Sequence, residues 1–211
     1  MTKGVVVKPI VTEEFNSRAQ VDLIDMQAMP HNSFKWILVY QDHLTKVVII
    51  SPLFTKRAIE VVRQLLDIFL LFGAPSILQS DNGSEFTELK TIWPTLVMVH
   101  GKPRHPQSQG SVEWANGDIK DMLISWMNDN DTNDWSVGIK LVQFYKNSSL
   151  HSGIKRTPYS AMFGCEAKVG LTSSSLPAEV IARLQREDDL VTTLTGTQQP
   201  PTSTQVPSEI L

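Results

Sequence analysis

Apolar residues in the first quarter of the chain come in three short runs that are separated by polar turns. The runs cover residues 21–26, 36–40 and 47–50, and they are rich in valine, isoleucine and leucine. Residues 29–33 and 42–45, which separate the runs, carry Pro, Asn, Ser, Asp and Thr. Short apolar runs between such turns are typical of strands. The first part of the chain is therefore predicted to form three antiparallel strands.

The apolar period changes from that of a strand to that of a helix after residue 57. Helical spacing is shown by Ala58, Val61, Val62, Leu65, Ile68 and Phe69, and Gly73 with Pro75 supplies a stop. A strand over 76–80, a small helix over 86–93 and a strand over 96–99 follow. This order predicts an α/β fold with a five-stranded mixed sheet flanked by helices.

A long amphipathic helix is predicted over residues 107–128. Glu113, Asn116 and Lys120 lie three and seven positions apart and share one polar stripe. A separate apolar stripe comprises Val112, Ala115, Ile119, Met122, Leu123, Trp126 and Met127. Two further helices are predicted, one over 134–147 and a short one between Thr157 as N-cap and Gly164. Trp36, Trp126 and Trp135 are expected in the core.

Composition divides the chain into an N-terminal extension over 1–17, a core domain over 18–170 and a C-terminal segment over 171–211. Within that last segment, residues 176–190 are predicted to form a polar helix. Residues 191–211 are rich in Thr, Ser, Gln and Pro, a composition that predicts disorder.

Composition and charge also limit the kinds of site the chain can hold. Cys165 is the only cysteine, so an intrachain disulfide is excluded, and because the five histidines are scattered no Cys/His zinc site of the usual four-ligand kind fits. Any metal must be held by oxygen ligands, which favours magnesium or manganese. The net charge of −3 lowers the expectation that the chain coats nucleic acid through bulk charge. With no signal peptide and no apolar run of membrane-spanning length, an intracellular location is expected.

Three carboxylates are placed where a fold of this kind could bring them together. An aspartate, Asp22 or Asp25, lies in the first strand, Asp81 ends the fourth, and Glu113 lies on the polar stripe of the long helix. Three converging carboxylates can hold two magnesium ions for phosphodiester chemistry. Asp22 and Asp25 are three residues apart and point to opposite faces of a regular strand, and the strand pattern alone does not decide between them.

The residues around these carboxylates resemble the motifs of retroviral and retrotransposon integrases. The three motifs are QVDLID at 20–25, SDNGSEF at 80–86 and HPQSQGSVE at 105–113, and TPYSAMFG at 157–164 resembles the end of the core in retrotransposon integrases. The resemblance covers about residues 18–164 and selects Asp22 over Asp25.

What the resemblance implies is a ribonuclease H-like catalytic core that trims a DNA end and joins it to target DNA. Asp22, Asp81 and Glu113 are then the catalytic residues and the ligands of two Mg²⁺ or Mn²⁺ ions. Contacts with DNA are expected from Lys102, Arg104, His105, Gln107, Gln109, Asn116 and Lys120. A nuclear location follows, as does a homodimer that buries parts of the helices at 58–72 and 134–145.

Departures from the family pattern keep other functions open. Ala19 stands where the family usually has tryptophan, and Trp114 follows the glutamate where arginine is common. The flanking integrase domains, a zinc-binding module and a basic module, are not seen in this sequence. An alternative is therefore a non-catalytic module that dimerises or associates with chromatin. A nuclease acting on RNA–DNA hybrids is a weaker third interpretation, which the loop at 106–110 disfavours.

Overall fold

The computed structural model describes residues 14–80, 88–100, 106–173, 178–182, 184–189 and 191, with only the backbone given for residues 100, 106–114 and 171–172. The chain forms two compact units, Met1–Ala167 and Lys168–Leu211. Within the parts described, no helix is long and apolar enough to cross a membrane.

A five-stranded mixed sheet forms the centre of the first unit. Its strands are β1 (Arg18–Asp25), β2 (Trp36–Asp42), β3 (Val48–Leu53), β4 (Ile77–Ser80) and β5 (Val97–His100). The spatial order is β3-β2-β1-β4-β5. The first three strands pair antiparallel, whereas β4 pairs parallel with β1 and β5 pairs parallel with β4. This topology confirms the predicted α/β fold.

The helices of the first unit are α1 (Ala58–Phe72), α2 (Leu89–Ile92), α3 (Pro106–Asp129), α4 (Trp135–Ser148) and α5 (Pro158–Phe163). Four of them match the predicted positions closely. The fifth, α2, is shorter than the prediction over 86–93, whose first two residues lie outside the described part. The helix ends before Trp93 because the residue that precedes a proline, here Pro94, is disfavoured in the helical conformation.

Alternate residues of β1 enter two separate hydrophobic cores. Ala19 and Val21 pack on the α1 side of the sheet, whereas Ile24 and Met26 pack on the side of α3 and α4. Both faces of the strand are therefore covered, as expected for strands that pair in parallel. Trp135 is buried in the second core, and Trp36 and Trp126 are partly buried against the first and the second.

Side-chain amides of α4 form hydrogen bonds with backbone groups on the outer edge of β3, which no other strand in the described part of the chain covers. Val48 donates its N–H to Asn147 Oδ1 at 2.9 Å, and Asn147 Nδ2 donates to Val48 O at 2.8 Å. Ile50 N donates to Gln143 Oε1 at 2.6 Å. An uncovered edge would offer these backbone groups to another strand. Here α4 both packs on the sheet and closes its edge.

The second unit contains a 3₁₀ turn, Gly170–Ser173, and the helix α6 (Ala178–Ile181). The prediction of one polar helix over 176–190 is wrong, because Leu184 and Gln185 are not helical. The backbone N–H groups of Gln185 and Arg186 donate instead to the carboxylate of Asp189, a local bond that competes with helix formation. The segment predicted to be disordered lies, from residue 192 onward, outside the described residues.

The turn between β2 and β3 is built on a buried carboxylate. Asp42 accepts bonds from Thr45 N and Thr45 Oγ1, both at 2.7 Å. Burial is the largest cause of a lowered pKa at both Lys46 and His43 in this turn. For His43 the pKa falls to about 4, helped by repulsion from Lys46 and Arg18 and opposed by Asp42.

At Gly138 of α4 there is no room for a Cβ against α3, and a pair of glycine substitutions tests this packing. A Cβ at Gly138 would lie 2.4 Å from Trp126 Cε3, whereas a Cβ at Gly117 on α3 would meet nothing within 4 Å. We expect Gly138→Ala to lower the free energy of unfolding by about 1–3 kcal/mol through overpacking. Gly117→Ala should raise it by about 1 kcal/mol through helix propensity. Urea denaturation of the two variants measures both changes, and equal effects would contradict the packing described.

The lowered pKa of His43 predicts a loss of stability in acid. Between pH 6.5 and about 4, His43 is protonated in the unfolded chain but remains neutral in the folded one. The free energy of unfolding therefore falls as the pH decreases through this window. We expect His43→Gln to reduce the drop in Tm between pH 7 and pH 4.5. Lys46→Met should also reduce it, because removing the ammonium group lets His43 take up its proton at a higher pH. Identical drops in wild type and both variants would exclude His43 as the cause.

Candidate metal and nucleic-acid site

Asp22 lies in the middle of the central strand, on the face of the sheet that α3 covers. Its register partner on β2 is Val39, which belongs to the core under α3 and α4. One carboxylate oxygen, Oδ1, accepts a bond from Leu23 N at 2.8 Å. The other, Oδ2, accepts a bond from Asn116 Nδ2 at 2.5 Å, across 94 residues of sequence. The polar stripe of α3 therefore meets β1 at this aspartate.

The side-chain oxygen of Asn116 is a second notable feature of this contact. Its amide oxygen, Oδ1, is buried and accepts no hydrogen bond in the part of the chain that the structure describes. A buried acceptor without a partner costs free energy, so such atoms are uncommon and call for a functional explanation. An oxygen acceptor beside a carboxylate is a suitable environment for a cation or a cation-bound water.

Asp25, the competing aspartate, has a different role. It is exposed at the end of β1 and accepts bonds from Gln27 N at 2.8 Å and Gln27 Nε2 at 3.0 Å. The backbone bond from Gln27 is the largest cause of its lowered pKa, and the coulombic effect of Lys120 is smaller. Asp25 thus stabilises the turn after β1, whereas Asp22 contacts the helix.

A row of glutamines, which the sequence reasoning did not single out, lies beside Asp22. Gln20 pairs in register with Gln41 of β2 on one side and with Gln79 of β4 on the other. All three are buried, and Arg18 Nη2 donates to Gln79 Oε1. Because Gln20 precedes Asp22 by two residues, the row lies on the same face of the sheet. Strand alternation could have placed Gln20 there, but only the pairing register aligns glutamines from three strands.

The other predicted site residues are described to different extents. Asp81, Lys102, Arg104 and His105 lie outside the described residues. The backbone places Glu113, Gln107 and Gln109 on α3, but their side chains are outside the description. Lys120 is exposed on α3, one turn after Asn116. Among the residues described, no group of three or more His, Cys, Asp or Glu side chains could hold a metal.

The position at which β4 ends is relevant to Asp81, the second predicted carboxylate. Ser80, the last residue of β4, pairs in parallel register with Val21, the residue before Asp22. The described part of β4 therefore ends level with the site. Asp81 is the next residue in the sequence.

Comparison with solved structures identifies this arrangement. The integrase catalytic core of HTLV-2 in complex with magnesium, in dimeric and trimeric forms, superposes with TM-scores of 0.55 and 0.56, at 22% and 21% identity. The match covers 69% of this chain and 94% and 95% of those chains. The catalytic core of BIV integrase gives 0.55 at 25% identity, over 69% of this chain and 92% of that one.

The chain has the fold of a retroviral integrase catalytic core. This finding confirms the resemblance to integrase cores and the ribonuclease H-like architecture that the resemblance implied. No protein-family model matches the sequence. Among curated proteins, the human KRAB-A domain-containing protein 2 is 45% identical over 193 residues. The match covers 89% of this integrase-type core and 39% of that protein, so the chain spans well under half of that relative.

The donors around Asp22 fit a magnesium ion. Magnesium prefers carboxylate, amide and water oxygens and keeps several waters when bound. Asp22 supplies a carboxylate that two N–H donors hold in one orientation, and Asn116 Oδ1 supplies a buried acceptor beside it. Among the residues that the structure describes, the oxygen atoms of Asp22 and Asn116 are therefore of the kind that magnesium prefers.

A cavity of about 110 Å³ lies further along α3, past Asn116. Its walls come from the end of β1 and the following turn on one side and from α3 on the other. Asp25 and Lys120 line it together with Met26, Ala28, Met29, Leu123 and Ile124. An aspartate and a lysine are thus placed beside a mostly apolar space.

Proposed function

We propose that this chain is a metal-dependent polynucleotidyl transferase core that trims DNA ends and joins them to target DNA. The contact between Asn116 Nδ2 and Asp22 Oδ2 carries this proposal. Glu113 precedes Asn116 by three residues, and positions three apart share a face of a helix. The helical spacing therefore supports our assignment of Glu113 to the face of α3 that meets Asp22.

Asp81 is the third carboxylate in this proposal. The parallel pairing of β4 with β1 brings Ser80 beside Val21, and Asp81 and Asp22 are the residues that follow. The carboxyl ends of adjacent parallel strands meet at one edge of a sheet and commonly carry ligand-binding groups. The register thus supports Asp22, Asp81 and Glu113 as the catalytic set.

In the mechanism that we propose, Asp22, Asp81 and Glu113 hold two Mg²⁺ or Mn²⁺ ions. When bound, such ions lower the pKa of an attacking water or hydroxyl and stabilise the leaving oxygen. The chain's own contribution is orientation. Leu23 N and Asn116 Nδ2 hold the Asp22 carboxylate in place, and Asn116 Oδ1 can accept a bond from an ordered water.

DNA contacts are proposed along the face of α3 that leads away from Asp22. Lys120 is exposed one turn beyond Asn116, where an ammonium group can neutralise a phosphate. Gln107 and Gln109, on the same helix, and Lys102, Arg104 and His105, before it, are the remaining proposed contacts. Because DNA is the substrate, we place the active form in the nucleus.

A non-catalytic role is the second candidate, and two observations favour it. The KRAB-A domain-containing protein 2 is a human protein whose name describes no polymerase or integrase, yet it is 45% identical to this chain. Trp114 also replaces a cation with a neutral side chain directly after Glu113, which weakens any phosphate contact there. In this alternative the fold serves dimerisation or association with chromatin.

Metal binding and catalysis can be tested with two matched aspartate substitutions. Asp22→Asn should abolish the rise in Tm that Mg²⁺ or Mn²⁺ produces in wild type, because an ion that binds only the folded state stabilises it by an amount that grows with the logarithm of the ion concentration above Kd. Asp25→Asn, three residues away, should retain that rise. In a strand-transfer assay, wild type and Asp25→Asn should join DNA ends, whereas Asp22→Asn, Asp81→Asn and Glu113→Gln should not.

The results separate the two candidate functions. A metal-dependent rise in Tm without strand transfer would favour the non-catalytic module. No rise at any metal concentration, or an equal rise in Asp22→Asn, would contradict the proposed metal site. Strand transfer by Asp22→Asn would contradict the catalytic assignment directly.

Self-association is proposed through an exposed apolar row on α4. Val137, Leu141 and Tyr145 are spaced four residues apart and are each 39–52% exposed. On α1, Leu70 and Leu71 are more than 70% exposed. Large apolar side chains grouped on a surface are typical of an interface. The HTLV-2 core, which has this fold, is known in a dimeric and a trimeric form.

A charge placed in this row should dissociate the dimer. We expect wild type to sediment as a homodimer and Leu141→Glu to sediment as a monomer, because a carboxylate would be buried without a partner. Ile92→Glu, on α2 and similarly exposed, is the control and should remain dimeric. A wild-type mass equal to that of the monomer at all concentrations would overturn the proposed dimer.

A further inference from the structure

The cavity beside Lys120 has apolar walls and charged groups at its rim. Met26 and Met29 line the side formed by β1 and the turn, and Leu123 and Ile124 line the side formed by α3. Met29 and Ile124 are close to half exposed, so the cavity opens to solvent through apolar surface. The cavity volume of about 110 Å³ is several times the space that one buried water requires, so the cavity can admit a small flat group.

The wall formed by the turn after β1 is fixed to α4. Trp135 Nε1 donates to Met29 O at 2.7 Å, and Met29 N donates to Met26 O at 2.9 Å. His31 Nδ1 lies 3.0 Å from Asp134 Oδ1 at the N-cap of α4. The cavity is therefore formed before any ligand binds, which reduces the entropy lost on binding.

The cavity and the Asp22 site share one helix. Asn116 contacts Asp22, and Lys120 follows four residues later, about 6 Å along α3. This distance corresponds to one or two nucleotides of a DNA strand. A strand with a phosphate at Asp22 can therefore place a neighbouring phosphate at Lys120.

We propose that this cavity binds one unpaired nucleobase of a DNA strand whose phosphate lies at Lys120. The inference rests on the proposed function, because it requires DNA at Asp22. The flat, neutral base enters the space between Met29 and Ile124 and stacks on apolar side chains, as in other sites for extruded bases.

The charges at the rim favour this orientation. Lys120 attracts a phosphate on the α3 side, whereas the carboxylate of Asp25 repels a phosphate from the opposite side. The anionic backbone of the strand is therefore directed to the lysine, and the neutral base is directed into the cavity.

Abasic DNA tests the proposal with the full chain. The probes are a fluorescent duplex with a three-nucleotide single-stranded 3′ end and three versions in which one of those bases is replaced by a tetrahydrofuran abasic unit. For wild type, removing the base at one of the three positions should weaken binding by about three- to tenfold, because stacking is lost. In Ile124→Ser the same removal should change affinity less than about twofold, because the stacking surface is already reduced.

Two control variants make the result specific. Ile92→Ser has the same side-chain change at a similarly exposed site away from the cavity and should keep the wild-type response to base removal. Lys120→Ala should weaken all four probes alike and lower the salt dependence by about one unit of slope. Far-ultraviolet circular dichroism confirms that each variant is folded, and Met29→Ser replaces Ile124→Ser if the latter is not.

The failure of this inference is distinguishable from that of the proposed function. If wild type binds the intact probe, and Lys120→Ala weakens it, but every abasic probe binds as well as the intact one, the cavity holds no base. If wild type does not bind the intact probe, the proposed function itself fails. Equal responses to base removal in wild type and Ile124→Ser would place the sensitive base elsewhere.

Discussion

The burial of β1 on both faces is the constraint on which the rest of this structure depends. A strand in this position needs hydrogen-bonded neighbours on two edges, and β2 and β4 supply them. It also needs a cover on each face, which α1 supplies on one side and α3 with α4 on the other. In such a strand a polar residue must be satisfied locally or serve a function. Asp22 and Gln20 are the polar residues in the middle of β1, and both lie on the α3 side.

The same helix that completes the core also forms the candidate site. Ile119 and Leu123 bury one stripe of α3, while Asn116 reaches Asp22 from the adjacent stripe. The orientation of the carboxylate thus depends on the packing of α3 against the sheet and against Gly138 of α4. Among the described residues Asn116 Oδ1 has no hydrogen-bond partner, which indicates that this polar position is kept at some cost in stability, as is common where a fold holds a functional site.

Much of the fold could be predicted because the local periods are clear. The change from strand to helical spacing at Ala58, the stop at Gly73 and the cap at Thr157 each have a local physical cause and appear where expected. The prediction of one continuous helix over 176–190 was wrong, also for a local reason. The Asp189 carboxylate accepts the N–H groups of Gln185 and Arg186, which a continuous helix would use for its own hydrogen bonds. The glutamine row was missed because its members come from three strands that are distant in sequence.

The sequence by itself determined the element types, the integrase-like motifs and the oxygen-rich candidate ligands, because these depend on side-chain chemistry and local spacing. It did not decide between Asp22 and Asp25 without the family resemblance, since both lie on one strand. The tertiary structure supplied the physical difference between them. The packing of α3 brings Asn116 to Asp22, while the end of β1 leaves Asp25 exposed to bond with Gln27. The cavity beside Lys120 is likewise a tertiary feature, because its walls come from α3 and from the turn after β1, which are distant in sequence, and the bond from Trp135 to Met29 fixes that turn to α4.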